Sequence, residues 1–118
     1  MRQPLAIETF GPGGFRVAGV WRPGSLLIVD DAARDWAPTR LATLTPADFA
    51  PVAAAPKGRV EFVLLGTGAV QALPPRDVRE HLRAAGFGLE FMASEAAVRM
   101  HNVLASQGRL FATALLAI

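Results

Sequence analysis

Residues 60–65, Val-Glu-Phe-Val-Leu-Leu, are nearly all apolar and run straight into Gly66-Thr67-Gly68, and this pairing constrains the fold more than any other feature. A short apolar run ended by glycines suits a central strand covered on both faces, so other elements must pack above and below it. The rest of the second half supplies them. After Pro74-Pro75, Val78, Leu82 and Ala85 recur at helical spacing and form a buried stripe, with Gly86 as the stop. Leu89 to Ala93 reads as the next strand. Ser94 then reads as the cap of a second helix, Glu95 sits near its positive end, and Gly108 closes it before a last strand over Leu110 to Leu116. From Val60 to Ile118 the order is strand, loop, helix, strand, helix, strand, and strand–helix–strand in one sheet implies a right-handed crossover.

The first half is less regular. Leu5 to Phe10 is extended, Gly11-Pro12-Gly13-Gly14 turns it back into Phe15-Arg-Val17, and together they predict a hairpin. Gly19 and Arg22-Pro23-Gly24 punctuate the chain before Ser25 to Val29, a short apolar run that suits a buried strand. Four of the nine prolines fall between Asp30 and Gly58, and one short helix is expected there. Thr45 is its N-cap, Pro46 its first residue and Asp48 the third, carrying it through Phe49 until Pro51 intervenes. Ala50 to Pro56 reads as a covering loop. With 118 residues, no linker and no repeat, residues 1–118 form a single compact α/β domain, a mixed central β-sheet with covering helices and an N-terminal β-hairpin region.

The absence of cysteine excludes disulfides, thiolate metal sites and a cysteine nucleophile. The sequence pI is about 10.4, yet the formal net charge is only +2 and the arginines are interleaved with acids, so no nucleic-acid footprint is expected. No stretch approaches the ~20 apolar residues of a membrane span. The opening Met1-Arg-Gln-Pro-Leu5 has no signal or transit pattern, and the chain is expected to be cytoplasmic, with at most peripheral membrane association.

Val60 to Leu65, Gly66 to Gly68, the run Ser94-Glu-Ala-Ala-Val-Arg-Met-His-Asn102 and Gln107-Gly-Arg109 together resemble the Mth938-domain (DUF498-type) family. That family includes mitochondrial complex I assembly factor 3 and the adipogenesis-associated Mth938 domain-containing protein. The resemblance implies a non-enzymatic protein-interaction module, with components of a membrane respiratory complex as partners and an assembly role. In the family a Thr-Tyr pair usually stands between the arginine and the asparagine; here Arg99 and Asn102 match, and Met100 and His101 replace the pair. If the family uses that tyrosine hydroxyl for binding or chemistry, His101 cannot reproduce it simply.

An alternative from a different class is a small-molecule or anion-binding domain. Gly66, Thr67 and Gly68 lie at the carboxyl end of a central strand, where α/β sheets commonly place ligands, and their backbone N–H groups plus Arg99 and Asn102 would give recognition. The loop lacks a P-loop lysine and the third glycine of a dinucleotide fingerprint. On a helical wheel, Ala96, Ala97, Met100, Val103 and Leu104 form the apolar stripe of the Ser94 helix, and Arg99, Asn102 and Ser106 share another face. A third reading is a homo-oligomer using Trp21, Trp36 or the Phe111 to Ile118 segment, set against core burial of Trp36 and edge pairing of that segment. His81 belongs to a charged, solvated helix face, and His101 to the boundary of the stripe. Asp30, Asp31 and Asp35 lack a metal-binding spacing and read as turn acids. Ser25, Ser94 and Ser106 occur in no nucleophile pattern. No catalytic residue, metal or cofactor is therefore expected.

Overall fold

The computed structural model describes residues 4–118; residues 1–3, part of the opening stretch read for a leader, lie outside the described residues. Strands β1 (Ile7–Gly11), β2 (Gly14–Val17) and β3 (Val20–Pro23) form an antiparallel meander. A five-stranded mixed sheet follows, built from β4 (Ser25–Val29), β5 (Ala32–Trp36), β6 (Phe62–Gly66), β7 (Gly88–Met92) and β8 (Phe111–Leu115) in the order β5-β4-β8-β6-β7. β4 is antiparallel to β5 and β8, whereas β6 runs parallel to both β8 and β7. Two 3-10 turns, Leu41–Thr43 and Pro46–Phe49, lead into a short α1 (Ala50–Ala53), and α2 (Arg76–Ala84) and α3 (Ser94–Ser106) complete the chain. Among the described residues no helix is long and apolar enough to cross a membrane.

The apolar run at 60–65 does separate two cores. Val63 and Leu65 point to one side, where Leu27, Val29, Trp36, Phe49, Val52, Val78 and Leu82 pack. Leu64 points to the other, where Ile7, Phe15, Val17, Ile28, Ala97 and Val98 pack. So α2 and the 3-10/α1 segment cover one face of the sheet, and α3 with the meander covers the other.

Five expectations change. The N-terminal hairpin gains a third strand, because Val20–Pro23 pairs with β2 and its proline ends an edge strand, where a missing N–H costs no ladder bond. The Asp30–Gly58 stretch contains β5, joined to β4 through Asp30 and Asp31, both at positive φ (51° and 61°) as a tight hairpin turn demands. Thr45 and Asp48 do form a cap, with the Asp48 carboxylate accepting the Thr45 N–H at 2.8 Å. The helix continues through Ala53, replacing part of the expected loop, since Pro51 lies in the first turn of α1. Ala85 is exposed because α2 ends one residue before it. The final segment is the middle strand of the sheet, not an edge, and Phe111 to Leu116 are buried.

Candidate functional site

Gly66, Thr67 and Gly68 lie where expected, at the carboxyl end of β6, but their donors turn inward. Thr67 N–H donates to the Met92 carbonyl at 2.8 Å, and Gly68 N–H donates to Ser94 Oγ at 2.9 Å. Ser94 Oγ–H in turn donates to the Leu116 carbonyl at 2.6 Å, and Ser94 N–H to the Gly68 carbonyl at 2.8 Å. The fully buried Ser94 is thus a clasp joining the ends of β6, β7 and β8. It is not the helix cap expected from its position: Ala93 occupies the N-cap and no side chain caps the helix. Gly66 belongs to the same joint, because a Cβ there would lie 2.8 Å from Ser94 Oγ and 2.7 Å from a Leu115 methyl. These contacts account for the glycine by close packing.

The buried face of α3 carries Ser94, Ala97, Val98, His101 and Ala105. Relative to the predicted stripe the helix is rotated, so Met100 and Val103 are exposed at 39% and 51%. His101 moves from the boundary to the interior, at 3% exposure. Its Nε2 lies 2.7 Å from the Leu5 carbonyl oxygen, which only accepts, so Nε2 carries the proton. Nδ1 then accepts from the Thr113 hydroxyl at 2.7 Å. Both nitrogens of a neutral ring are satisfied, Phe111 packs edge-on at 5.4 Å, and burial pushes the His101 pKa below its usual value.

Asn102 clamps β1: its Oδ1 accepts the Ile7 N–H at 2.8 Å and its Nδ2 donates to the Ile7 carbonyl at 2.9 Å. Arg99 points into solvent and pairs with Glu95 at 3.0 Å, one helical turn back. The two residues matched by the resemblance therefore act separately, one as a strand clamp and one as a surface ion pair.

What the rotation of α3 leaves open is a groove of about 430 Å³ between α3 and β7, lined by Phe62, Gly88, Glu90, Met92, Met100, Leu104 and Arg109, with Leu89 at its edge. Gly88 shapes its floor, since a Cβ there would come 3.0 Å from that of Phe62. Phe62 is stacked on Phe111, and the Arg109 guanidinium lies over its ring, 5.3 Å from the centroid. Among the described residues β7 ends the sheet, with β6 its only partner strand. Gly88 N–H and Met92 C=O bond towards β6, so by alternation the backbone groups of Leu89 and Phe91 face outward. Residue-by-residue reading misses this surface; its signal in the sequence is Met100, Val103 and Leu104, apolar residues three and four apart, beside a second apolar set, Ala97, Val98 and Ala105, that already supplies a buried face.

Elsewhere, Asp30 and Asp31 hold Arg59 across the hairpin turn, and Asp35 pairs with Arg22 at 3.3 Å. Among the described residues no cluster of three or more metal-ligating side chains occurs. His81 is exposed on α2, and Trp36 is buried with its Nε1–H donating to the Asp48 carbonyl at 2.9 Å, whereas Trp21 stays 44% exposed on β3.

The fold and surface define a small two-sheet α/β domain with an open groove at one sheet edge. The chain belongs to the DUF498/DUF598 family, described as a protein of unknown function, whose model matches residues 7–116. It is 38% identical over 112 residues to an uncharacterized protein of Rhodobacter capsulatus, covering 95% of this chain and 84% of that one. An outer membrane protein from Bartonella henselae has a crystal structure similar to this chain, with TM-score 0.87 and 30% identity, over 97% of this chain and 95% of that one. A Mth938-like domain from Bordetella pertussis shares the fold, with TM-score 0.80 and 24% identity, over 96% and 85% of the two chains.

Proposed function

We propose that this chain is a non-catalytic protein-interaction module that binds its partner across the exposed face of α3 and the adjoining groove. The observation that carries this reading is the exposed apolar pair Met100 and Val103, turned away from a core already filled by Ala97, Val98 and Ala105, with half-buried Leu104 between that core and the groove. Exposed apolar side chains grouped on one helix face, with an adaptable methionine beside a groove, are the usual makings of a protein contact. On the resemblance noted above, the partner is a component of a membrane respiratory complex and the role is assembly. The anion reading at Gly66, Thr67, Gly68 and Arg99 has less support, because the Thr67 and Gly68 N–H groups are already engaged within the fold.

A photo-reactive benzoylphenylalanine in place of Val103 tests this in the producing cell, with the same residue in place of the exposed Arg40, whose neighbour Leu41 packs on the core of the opposite sheet face, as the control. The expected result is one discrete adduct from position 103, lost when Met100→Asp is added and never formed from position 40. No adduct from position 103, or one indifferent to Met100→Asp, would overturn the reading. An adduct of twice the chain mass would replace it with self-association.

A further inference from the structure

The open edge of β7 makes the shape and charge of the occupant specific, and the inference rests on the α3 surface being a protein-binding face. We propose that the groove takes an extended segment of the partner as a sixth strand beside β7, with a lysine or arginine opposite Glu90 and a large apolar side chain two positions away. The outward N–H and C=O groups of Leu89 and Phe91 are a ready template for strand addition, in which main-chain bonds give affinity and alternate side chains give choice.

Side-chain alternation then fixes the rest. Gly88, Glu90 and Met92 of β7 stand level with Phe62, Leu64 and Gly66 of β6, on the face that α3 covers. A strand residue opposite Glu90 projects onto that face, and the residue two along stands opposite Gly88 or Met92. Opposite Gly88, where β7 has no side chain, an apolar group would enter the groove over Phe62, between Leu104 and Arg109.

Charge selects against the simplest competitor. Glu90 is exposed and makes no ion pair among the described residues, whereas Glu61, Glu80 and Glu95 each have an arginine within reach. A second copy adding antiparallel with Leu89 opposite Phe91 would place Glu90 against Glu90, an unfavourable like-charge pair at the shortest cross-strand spacing. A basic residue at that position reverses the sign. The carboxylate that discourages self-pairing is therefore the one that would choose a basic strand.

The test uses the full chain, isotope-labelled, and a probe peptide of threonines carrying one leucine and, two positions on, one lysine. Expected are saturable shifts of the Leu89 and Phe91 amides, roughly fivefold weaker binding when the probe lysine is replaced by glutamate, and reversal of that preference in Glu90→Lys. N-methylation of alternate probe amides, which removes strand bonding without touching the protein, should abolish the shifts. Shifts confined to α3 with no charge preference, or no shifts in protein whose spectrum is otherwise intact, would overturn strand addition. The cross-link from position 103 would survive that outcome, so the two readings fail separately.

Discussion

Ser94 shows why a residue type alone can mislead. Its position before a helix suggests a cap, yet its hydroxyl accepts from Gly68 and donates to Leu116, both buried joints between strands. Ser94→Ala should cost about 1–3 kcal/mol in denaturant unfolding, since two backbone groups lose their partner without access to water. Ser94→Asp separates the two roles. A cap would tolerate aspartate, whereas the clasp would set a carboxylate against the Leu116 carbonyl, so Asp should be less stable than Ala. His101 gives a pH-dependent counterpart. Its folded pKa is lowered by burial from 6.5, so between the two values the unfolded chain binds more protons. Stability from this residue is complete above about 6.5, falls as pH drops below it, and levels off once pH passes the lower folded value. Unfolding free energies measured across that range should show this slope, and His101→Phe should remove it. A slope unchanged in the variant would assign it to another group.

At the scale of elements, α3 is where sequence and structure part. Its limits were legible from Gly108 and the preceding strand, but its rotation was not, because a helical wheel sends serine and histidine outward. Ser94 and His101 are buried only because Leu116, Thr113 and Leu5, distant in sequence, complete their hydrogen bonds. The same rotation opens the groove: the wheel places Met100 and Val103 in the core, where the helix instead turns Ser94, Ala97, Val98, His101 and Ala105 inward. β5 went unread for a different reason. Ala-Ala-Arg-Asp-Trp has almost no strand preference of its own, and it is held by a two-residue turn and by pairing with the apolar β4. The parallel β6 and β7 were plain, because strands buried between layers need apolar runs wherever they occur. Asn102 makes α3 responsible for β1 as well. Asn102→Ala should strip the Ile7 backbone of both partners and cost about 1–3 kcal/mol. Hydrogen exchange should show the loss as faster exchange at Ile7 than across β2 and β3, because β1 still has β2 along its other edge. Uniform acceleration across the meander would instead mean that the clamp holds the whole sheet.

For the whole molecule, the position of β8 decides how the parts depend on one another. β4 and β6 do not pair; β8 stands between them, antiparallel to one and parallel to the other. Without it the sheet divides into a β4–β5 hairpin and a β6–β7 pair, each with a bare edge and half a core. All five of its strand residues are buried, and Phe111 and Leu115 serve the α3 side while Ala112 and Ala114 serve the other. Both cores therefore close only when the last strand is present, and the contacts that join them span most of the chain, which places the domain among those that fold through long-range pairing. Deleting residues 111–118 should abolish the cooperative transition followed through the fluorescence of Trp36, not merely shift it. Deleting only residues 117–118 is the matched control: it removes the Ala117 bond to Ser25 and the Ile118 bond to Gly13, each worth about 0.5–1.5 kcal/mol, and leaves the strand in place. That shorter chain should unfold cooperatively at a lower midpoint. If the longer deletion also unfolded cooperatively, the two halves of the sheet would be stable on their own, and the central strand would be a join between finished units instead of the element on which both cores depend.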